Sequence, residues 1–370
     1  MIYFDNAAST PMTEGVKRVF SESLELFANP SSLHRLGFDA EKEMKKARAR
    51  VAATLSARED EIVFTSGGTE ADNLAVLGAA EKMRRRGNRI LSTDSEHPAV
   101  EMCLKKLEGE GFEVIRLSTK KGALSEEEIE EAANEKTVLA AVMRTNNETG
   151  AVYDVPALSR IVKRKNPDCL VFSDCVQAYG KERISPARLG ADLVSISSHK
   201  IHGPKGIGAL YVKKGLSLPP LLLGGGQERG LRSGTENLPA ILAFGEACRE
   251  ADLALDEARD QMKAIREAIL SALSEEKRVR ANLPPAASDS ILSLQVDAFP
   301  SEVLLHMLSQ REIFVSSGSA CSSHSGKSGV LSAFGLSSRE RDHTVRLSFS
   351  RLNTVEEGIT FASALKEILG

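Results

Sequence analysis

The constraint that narrows the fold most is an alternation of patterns in the first two-thirds of the chain. Short apolar runs at 61–65, 89–93, 113–117, 138–143, 170–173, 193–196 and 207–212 have the length and composition of strands. Helical patterns lie between several of them. An alanine-rich stretch follows Ser66-Gly67-Gly68-Thr69, and Ser125 with Glu128 has the capping-box spacing that opens an acidic helix. Upstream, Val16, Val19, Phe20, Leu24 and Phe27 recur at helical spacing, and a second helix is predicted over 40–55. Strands alternating with helices specify an α/β fold with a doubly wound, mostly parallel sheet. Ligands of such sheets bind outside the carboxyl ends of the strands. Reactive residues are therefore expected in the turns that leave those ends.

Beyond Asn237 the pattern changes. A charge-laced amphipathic stretch runs to about residue 276. Apolar runs at 290–296, 313–315 and 344–349 follow, with helices near 302–310 and from 355. These predict a smaller α+β unit, which the first dozen residues join. The chain's 370 residues exceed the ~250–300 at which a single core stops growing. The expected division is a large domain over 13–250 and a small one built from 1–12 and 251–370. A net charge of −3 offers no broad basic face, which weighs against direct nucleic-acid binding. No apolar run reaches the ~20 residues of a membrane helix, so no membrane association is expected. The opening Met1-Ile2-Tyr3-Phe4-Asp5 lacks the basic and apolar regions of a secretory signal. Cys103, Cys169, Cys175, Cys248 and Cys321 are scattered, without metal-ligand spacing. No metal site is expected, and a reducing cytoplasmic setting is.

Several turns carry residue types with chemical uses, and each has an ordinary alternative. Lys200, in Ser197-Ser198-His199-Lys200, follows a strand and precedes a Gly-Pro turn; a lysine held there can condense with an aldehyde cofactor. Most lysines are simply solvated. Asp174 follows another strand and could pair with a pyridinium nitrogen, or merely cap a helix. Gly68 and Thr69 lie at a strand-to-helix turn whose amides suit a phosphate, though ordinary turns look alike. His97 could stack on a flat ring and move protons, or just begin a helix. Asn147 sits in a turn that needs no further explanation. Neither nucleotide-binding glycine motif is present. Together, a phosphate cradle, a flat imidazole, an amide, an acid and a lysine leave successive strands of one sheet, an order that unrelated turns would rarely supply.

The segments YFDNAAST, NPSSLH, FTSGGTEADN, SEHPAV, NNETG, SDCVQAYG, SSHKIHGPKGIGALYV, GGGQERGLRSGTEN, SSGSACSS and VRLSFSR extend this set nearly end to end. In them the chain resembles the cysteine desulfurases of the NifS/IscS type, in the class V aminotransferase fold. The resemblance implies the fold type I architecture of pyridoxal 5'-phosphate enzymes. It implies Lys200 as the Schiff-base lysine, Asp174 on the pyridinium nitrogen and His97 against the ring. Gln177 and Asn147 would reach the ring oxygen and its surroundings, while Thr69, Ser197 and His199 would hold the phosphate. Thr235 would reach the phosphate of the other subunit's cofactor, which makes the active form a homodimer. Arg346, with Asn29 nearby, would bind the substrate carboxylate, since a guanidinium fork matches it bidentately.

Cys321 decides the reaction within the fold. Its surroundings, SSGSACSSHSG, are small, polar and glycine-containing, a composition suited to presenting a thiol rather than packing it. The expected reaction converts L-cysteine to L-alanine, leaves the sulfur as a persulfide on Cys321, and passes it to an acceptor protein such as an iron–sulfur scaffold. His324 is a candidate charge partner for the thiol. A selenocysteine lyase or another class V aminotransferase would share the cofactor site without needing this cysteine, and a non-catalytic sulfur-relay protein would need neither. Two departures from the family pattern are Pro98 after His97, where a lysine is common, and Gly68, where an alanine is common. The sequence ends at Gly370, short of the tail through which relatives dock scaffolds, so docking by that route is not expected.

Overall fold

The structure is a computed structural model, and it describes residues 1–317 and 329–370. Its centre is a seven-stranded sheet in the order Ile62–Thr65, Gly208–Val212, Leu193–Ser197, Leu170–Asp174, Thr137–Ala141, Arg89–Thr93, Glu113–Leu117. The last five run parallel, and Gly208–Val212 is antiparallel to both of its neighbours. Two antiparallel steps return Ile62–Thr65 to the direction of the parallel set. All of these strands except Gly208–Val212 thus end on one edge. The predicted α/β architecture is observed, with strand limits within a few residues of those read from the apolar runs.

Strand alternation places one side-chain set on each face. Ile62 and Phe64 join the helices Arg35–Thr54, Val155–Lys165 and Leu238–Leu253, while Val63 packs against Gly68–Met83 and Pro98–Gly109. Leu74, Ile90, Leu91 and Phe172 are fully buried in these layers. Each such side chain contributes about 1.5–3 kcal/mol of burial free energy. A third core gathers Phe4 with residues between 258 and 369, and Phe4 meets Phe349 edge-on with centroids 5.1 Å apart. Around it runs a four-stranded antiparallel sheet, Ser316–Ser317, Thr344–Ser348, Ile291–Val296 and Val279–Ala281. The charge-laced stretch after Asn237 is two helices, Leu238–Leu253 and Leu255–Ala272, meeting at Ala254.

Two local expectations fail. The first helix spans only Glu14–Glu22, so Leu24 and Phe27 lie beyond it and are 58% and 83% exposed. The capping box at Ser125 is half formed. Its hydroxyl accepts from the Glu128 amide, but the Glu128 carboxylate takes the Ser118 amide.

One buried ion pair ties a glycine-rich loop to the sheet. Arg48 makes a bidentate contact to Glu228 at 2.7 and 2.6 Å and stacks 4.5 Å from the Phe64 ring centroid. Glu228 also accepts from the Phe64 amide, and both Glu228 and Arg229 hold positive φ. Arg48→Met would leave that carboxylate buried without its counter-ion and should cost about 3–5 kcal/mol. A lowered urea unfolding midpoint, partly restored in the Arg48→Met/Glu228→Gln double variant, is the expected result; an unchanged midpoint would show that the pair adds nothing.

Candidate active site

At the common edge of the sheet lies a cavity of about 260 Å³. Its walls include Gly68, Thr69, His97, Asn147, Asp174, Gln177, Ser197, His199, Lys200 and Arg346. Most of the residues singled out from the sequence therefore meet in one place. Except for Arg346, which comes from the antiparallel sheet, the central sheet brings them there, because they lie at or after the ends of strands that finish on this edge.

At one end of the cavity, Gly68 opens the helix Gly68–Met83, whose first turn precedes the first internal hydrogen bond, from Ala71 to Gly67. A side chain at Gly68 would bring its Cβ within 2.9 Å of Val176 Cγ2, so the strand-end segments close up here only around a glycine. The Ser197 hydroxyl oxygen is buried and has no hydrogen-bond partner among the described residues. A buried hydroxyl facing helix-start amides is suited to an anionic ligand. The His199 Nδ1 lies 3.3 Å from the Ser9 hydroxyl, and burial pushes its imidazole down to about 4, so the ring is neutral.

At the floor, the Asp174 carboxylate accepts from the Val176 amide at 2.8 Å. Burial pushes this carboxyl up, while His97 and Lys200 draw it down. His97 caps the helix Pro98–Gly109, its Nδ1 accepting from the Ala99 amide at 3.1 Å. Burial depresses the imidazole's basicity, and with Nδ1 accepting from Ala99 the proton of the neutral ring belongs on Nε2. The ordinary reading, a helix-start histidine, is thus observed, and the ring also lines the cavity. Lys200 donates to the Ala7 and Ala8 carbonyls at 2.5 and 2.9 Å.

At the mouth, Arg346 is only 4% exposed. It donates to Asp5 Oδ1 at 2.8 Å and to the Asn147 carbonyl at 2.9 Å, and its Nε has no partner among the described residues. The opposite strand, Ser316–Ser317, pairs Ser316 directly with Arg346.

Asn29 and Thr235 are not on these walls. Both are exposed, and the Asn29 side chain accepts from the Ser31 amide. Cys321 and His324 lie outside the described residues. The remaining cysteines are all buried, and burial pushes the thiols of Cys103, Cys169 and Cys248 up to about 12 and that of Cys175 higher still. None of the four is a nucleophile at neutral pH.

Three wall residues with a part in the site escaped the sequence reading: Asp72, Ala7 and Ala8. Asp72 lies one helical turn from Gly68, with its Oδ1 buried and unpartnered among the described residues. Burial and the nearby Asp174 push this carboxyl well up. An acid on an alanine-rich helix face was the available signal. Ala7 and Ala8 enter from the amino terminus, and only their carbonyls act, which no side-chain pattern reveals.

The architecture and this edge-of-sheet site define a known class: the chain belongs to the aminotransferase class-V family, whose model matches residues 2–359. Within that class it is 36% identical over 372 residues to the cysteine desulfurase IscS of Methanosarcina thermophila, covering all of this chain and 92% of that protein. A solved NifS-like protein superimposes with a TM-score of 0.94 at 36% identity, covering 100% of this chain and 99% of the other. A structure described as SspA in complex with cysteine matches with a TM-score of 0.83 at 33% identity, over 94% of this chain and 99% of that one.

Proposed function

We propose that this protein is a cysteine desulfurase that uses pyridoxal phosphate to convert L-cysteine to L-alanine and passes the sulfur, through Cys321, to an acceptor protein such as an iron–sulfur scaffold. The observation that carries the reading is the convergence in one cavity of an amine, a buried acid, a neutral imidazole and a nearly buried guanidinium. Desulfurase names among full-length relatives, and a relative bound to cysteine, support the substrate.

The residues fit the cofactor. Ser197, Thr69, His199 and the helix start at Gly68 would take its phosphate, Asp174 its ring nitrogen, and Gln177 and Asn147 its ring oxygen and surroundings, with His97 against its face. Bound there, pyridoxal phosphate would supply an electron sink for the pair left at the substrate Cα. Lys200 would anchor it and, once freed, take the Cα proton. Arg346, already oriented by Asp5 and Asn147, would hold the substrate carboxylate through its remaining donors. His97, with its proton on Nε2, would return a proton as alanine forms. Cys321, as a thiolate, would attack the substrate sulfur and break the Cβ–S bond, whose electron pair stays with the carbon fragment that is protonated to alanine; the strand Ser316–Ser317 is paired beside Arg346, at the substrate end of the cavity.

A homodimer would complete the site. The 24–38 and 221–223 segments leave Phe27, Leu33 and Leu223 each more than 80% exposed, apolar area that a monomer rarely keeps in water. These segments flank Asn29 and precede the loop that bears Thr235. Thr235 we assign to the partner's cofactor phosphate, and Asn29 to the substrate end of a site completed at this interface. The two-domain division at about residue 250 belongs to the same reading. Among the described residues no helix is long and apolar enough to cross a membrane. A cytoplasmic setting accords with four buried, unbridged cysteines.

The test is direct. Protein loaded with pyridoxal phosphate and given L-cysteine with a thiol reductant should release alanine steadily, and borohydride reduction followed by peptide mass spectrometry should find the cofactor on Lys200. Label on Lys205 or Lys181 instead would refute the site; absence of alanine would refute the reaction.

A further inference from the structure

Behind the Lys200 wall, the structure carries a lysine that the mechanism above does not use. Lys181 follows the strand-end segment that bears Asp174 and Gln177. Its side chain is half-buried in a cavity of about 220 Å³ that also touches Glu182, Arg259 and Asp289. Among the described residues no carboxylate pairs with it. The acids lining that cavity are engaged, Glu182 with Arg144 and Asp289 with Arg266. Its amine instead donates to the Gln177 side-chain carbonyl at 3.1 Å. A lysine retained for stability would be expected to have a counter-ion, because an unpaired charge away from water is costly. Burial pushes this one down to about 7, and Lys200 and Arg346 act in the same direction.

The hydrogen bonding shows what Lys181 does locally. Gln177 Nε2 donates to the Ala7 carbonyl at 2.8 Å, the same oxygen that Lys200 contacts. Lys181 therefore needs the oxygen end of the amide, and Ala7 needs the nitrogen end. The two demands agree, and they hold the Gln177 amide in one orientation at the cavity wall. Without Lys181 the inner carbonyl oxygen would lose its donor, and the amide would be free to turn over.

Resting on the functional reading above, we propose that Lys181 is a positioning residue for the cofactor site: it locks the Gln177 amide so that its N–H group faces the cavity, and in its protonated form it places a positive charge behind Lys200. Both effects oppose proton uptake at the cofactor end of Lys200. A fixed N–H donor favours an unprotonated oxygen in front of it, and a nearby positive charge disfavours a second one.

The pH titration of visible absorbance in pyridoxal phosphate-loaded protein tests this. Lys181→Met should move the midpoint upward by about one pH unit. L-Cysteine kcat/KM should fall about tenfold with it, the size of one lost charge-assisted hydrogen bond. Lys181→Arg, which keeps both charge and donors, should restore most of both. If Lys181→Met does not fold, Lys181→Gln, without the charge, should still show the upward shift. A wild-type midpoint in the uncharged variant would overturn the proposal, whatever happens to turnover. Wild-type protein that takes up no pyridoxal phosphate would instead sink the functional reading, and this proposal with it.

Discussion

Replacing Lys200 with alanine is expected to lower alanine production from L-cysteine by about three orders of magnitude or more, with loss of the protein's yellow colour. Both consequences follow from where the amine sits. It is held between the Ala7 and Ala8 carbonyls at the cavity wall, with Asp174 and His97 beside it. Among the described residues no other lysine lines this cavity. Lys181 lies behind Gln177 and Lys205 is exposed, so neither can anchor the cofactor or take the Cα proton in its place. The variant should remain folded, since the change removes hydrogen bonds at the cavity wall and no core packing. It also gives a test of the shared site. In a mixed dimer of one Lys200→Ala subunit and one Thr235→Ala subunit, both lesions can fall in the same site. The other site then keeps an intact lysine and an intact threonine. Mixing two inactive proteins should therefore restore part of the activity. Proven subunit exchange without recovery would confine Thr235 to its own subunit, or remove it from the site.

What could be read in advance, and what could not, has a physical pattern. The apolar runs were legible because strands covered by helices on both faces leave little room for polar residues, as at Val171 and Phe172 on either side of one strand. The turns were legible because sheet topology gathers their contents. Leu24 and Phe27 misled because helical spacing reports an apolar face without saying whether it is core or interface; here the helix stops at Glu22 and both side chains point to water. Arg346 was legible only through resemblance, since its orienting partner Asp5 lies at the far end of the chain. Asp72 left only a faint signal, an acid on an alanine-rich helix face, and Lys181 left none. Each is an ordinary charged residue in sequence, and each becomes unusual only when the fold sets it beside the cavity without an opposite charge among the described residues.

Cys321→Ala should fail differently from Lys200→Ala. It keeps the whole cavity, so the protein should take up pyridoxal phosphate, stay yellow, and bind L-cysteine through Arg346. Stopped-flow mixing with L-cysteine should still change its colour. Steady alanine release should nevertheless fall by about three orders of magnitude, because nothing is left to take the sulfur from the substrate. The buried cysteines offer no substitute. Cys175 adjoins Asp174 in sequence, but alternation turns its side chain away from the cavity into the core, where its thiol stays protonated. Cys103 is likewise buried, bonded to the Ala99 carbonyl on the helix behind His97. Serine at any of those four positions should cost stability before it costs sulfur transfer. Mass spectrometry of the wild-type enzyme after cysteine addition should find one extra sulfur on the peptide bearing Cys321. Near-normal turnover by Cys321→Ala would rule out a persulfide at this residue and move the protein toward a selenocysteine lyase or another class V activity. An extra sulfur on the Cys175 or Cys103 peptide would keep the reaction and replace the nucleophile.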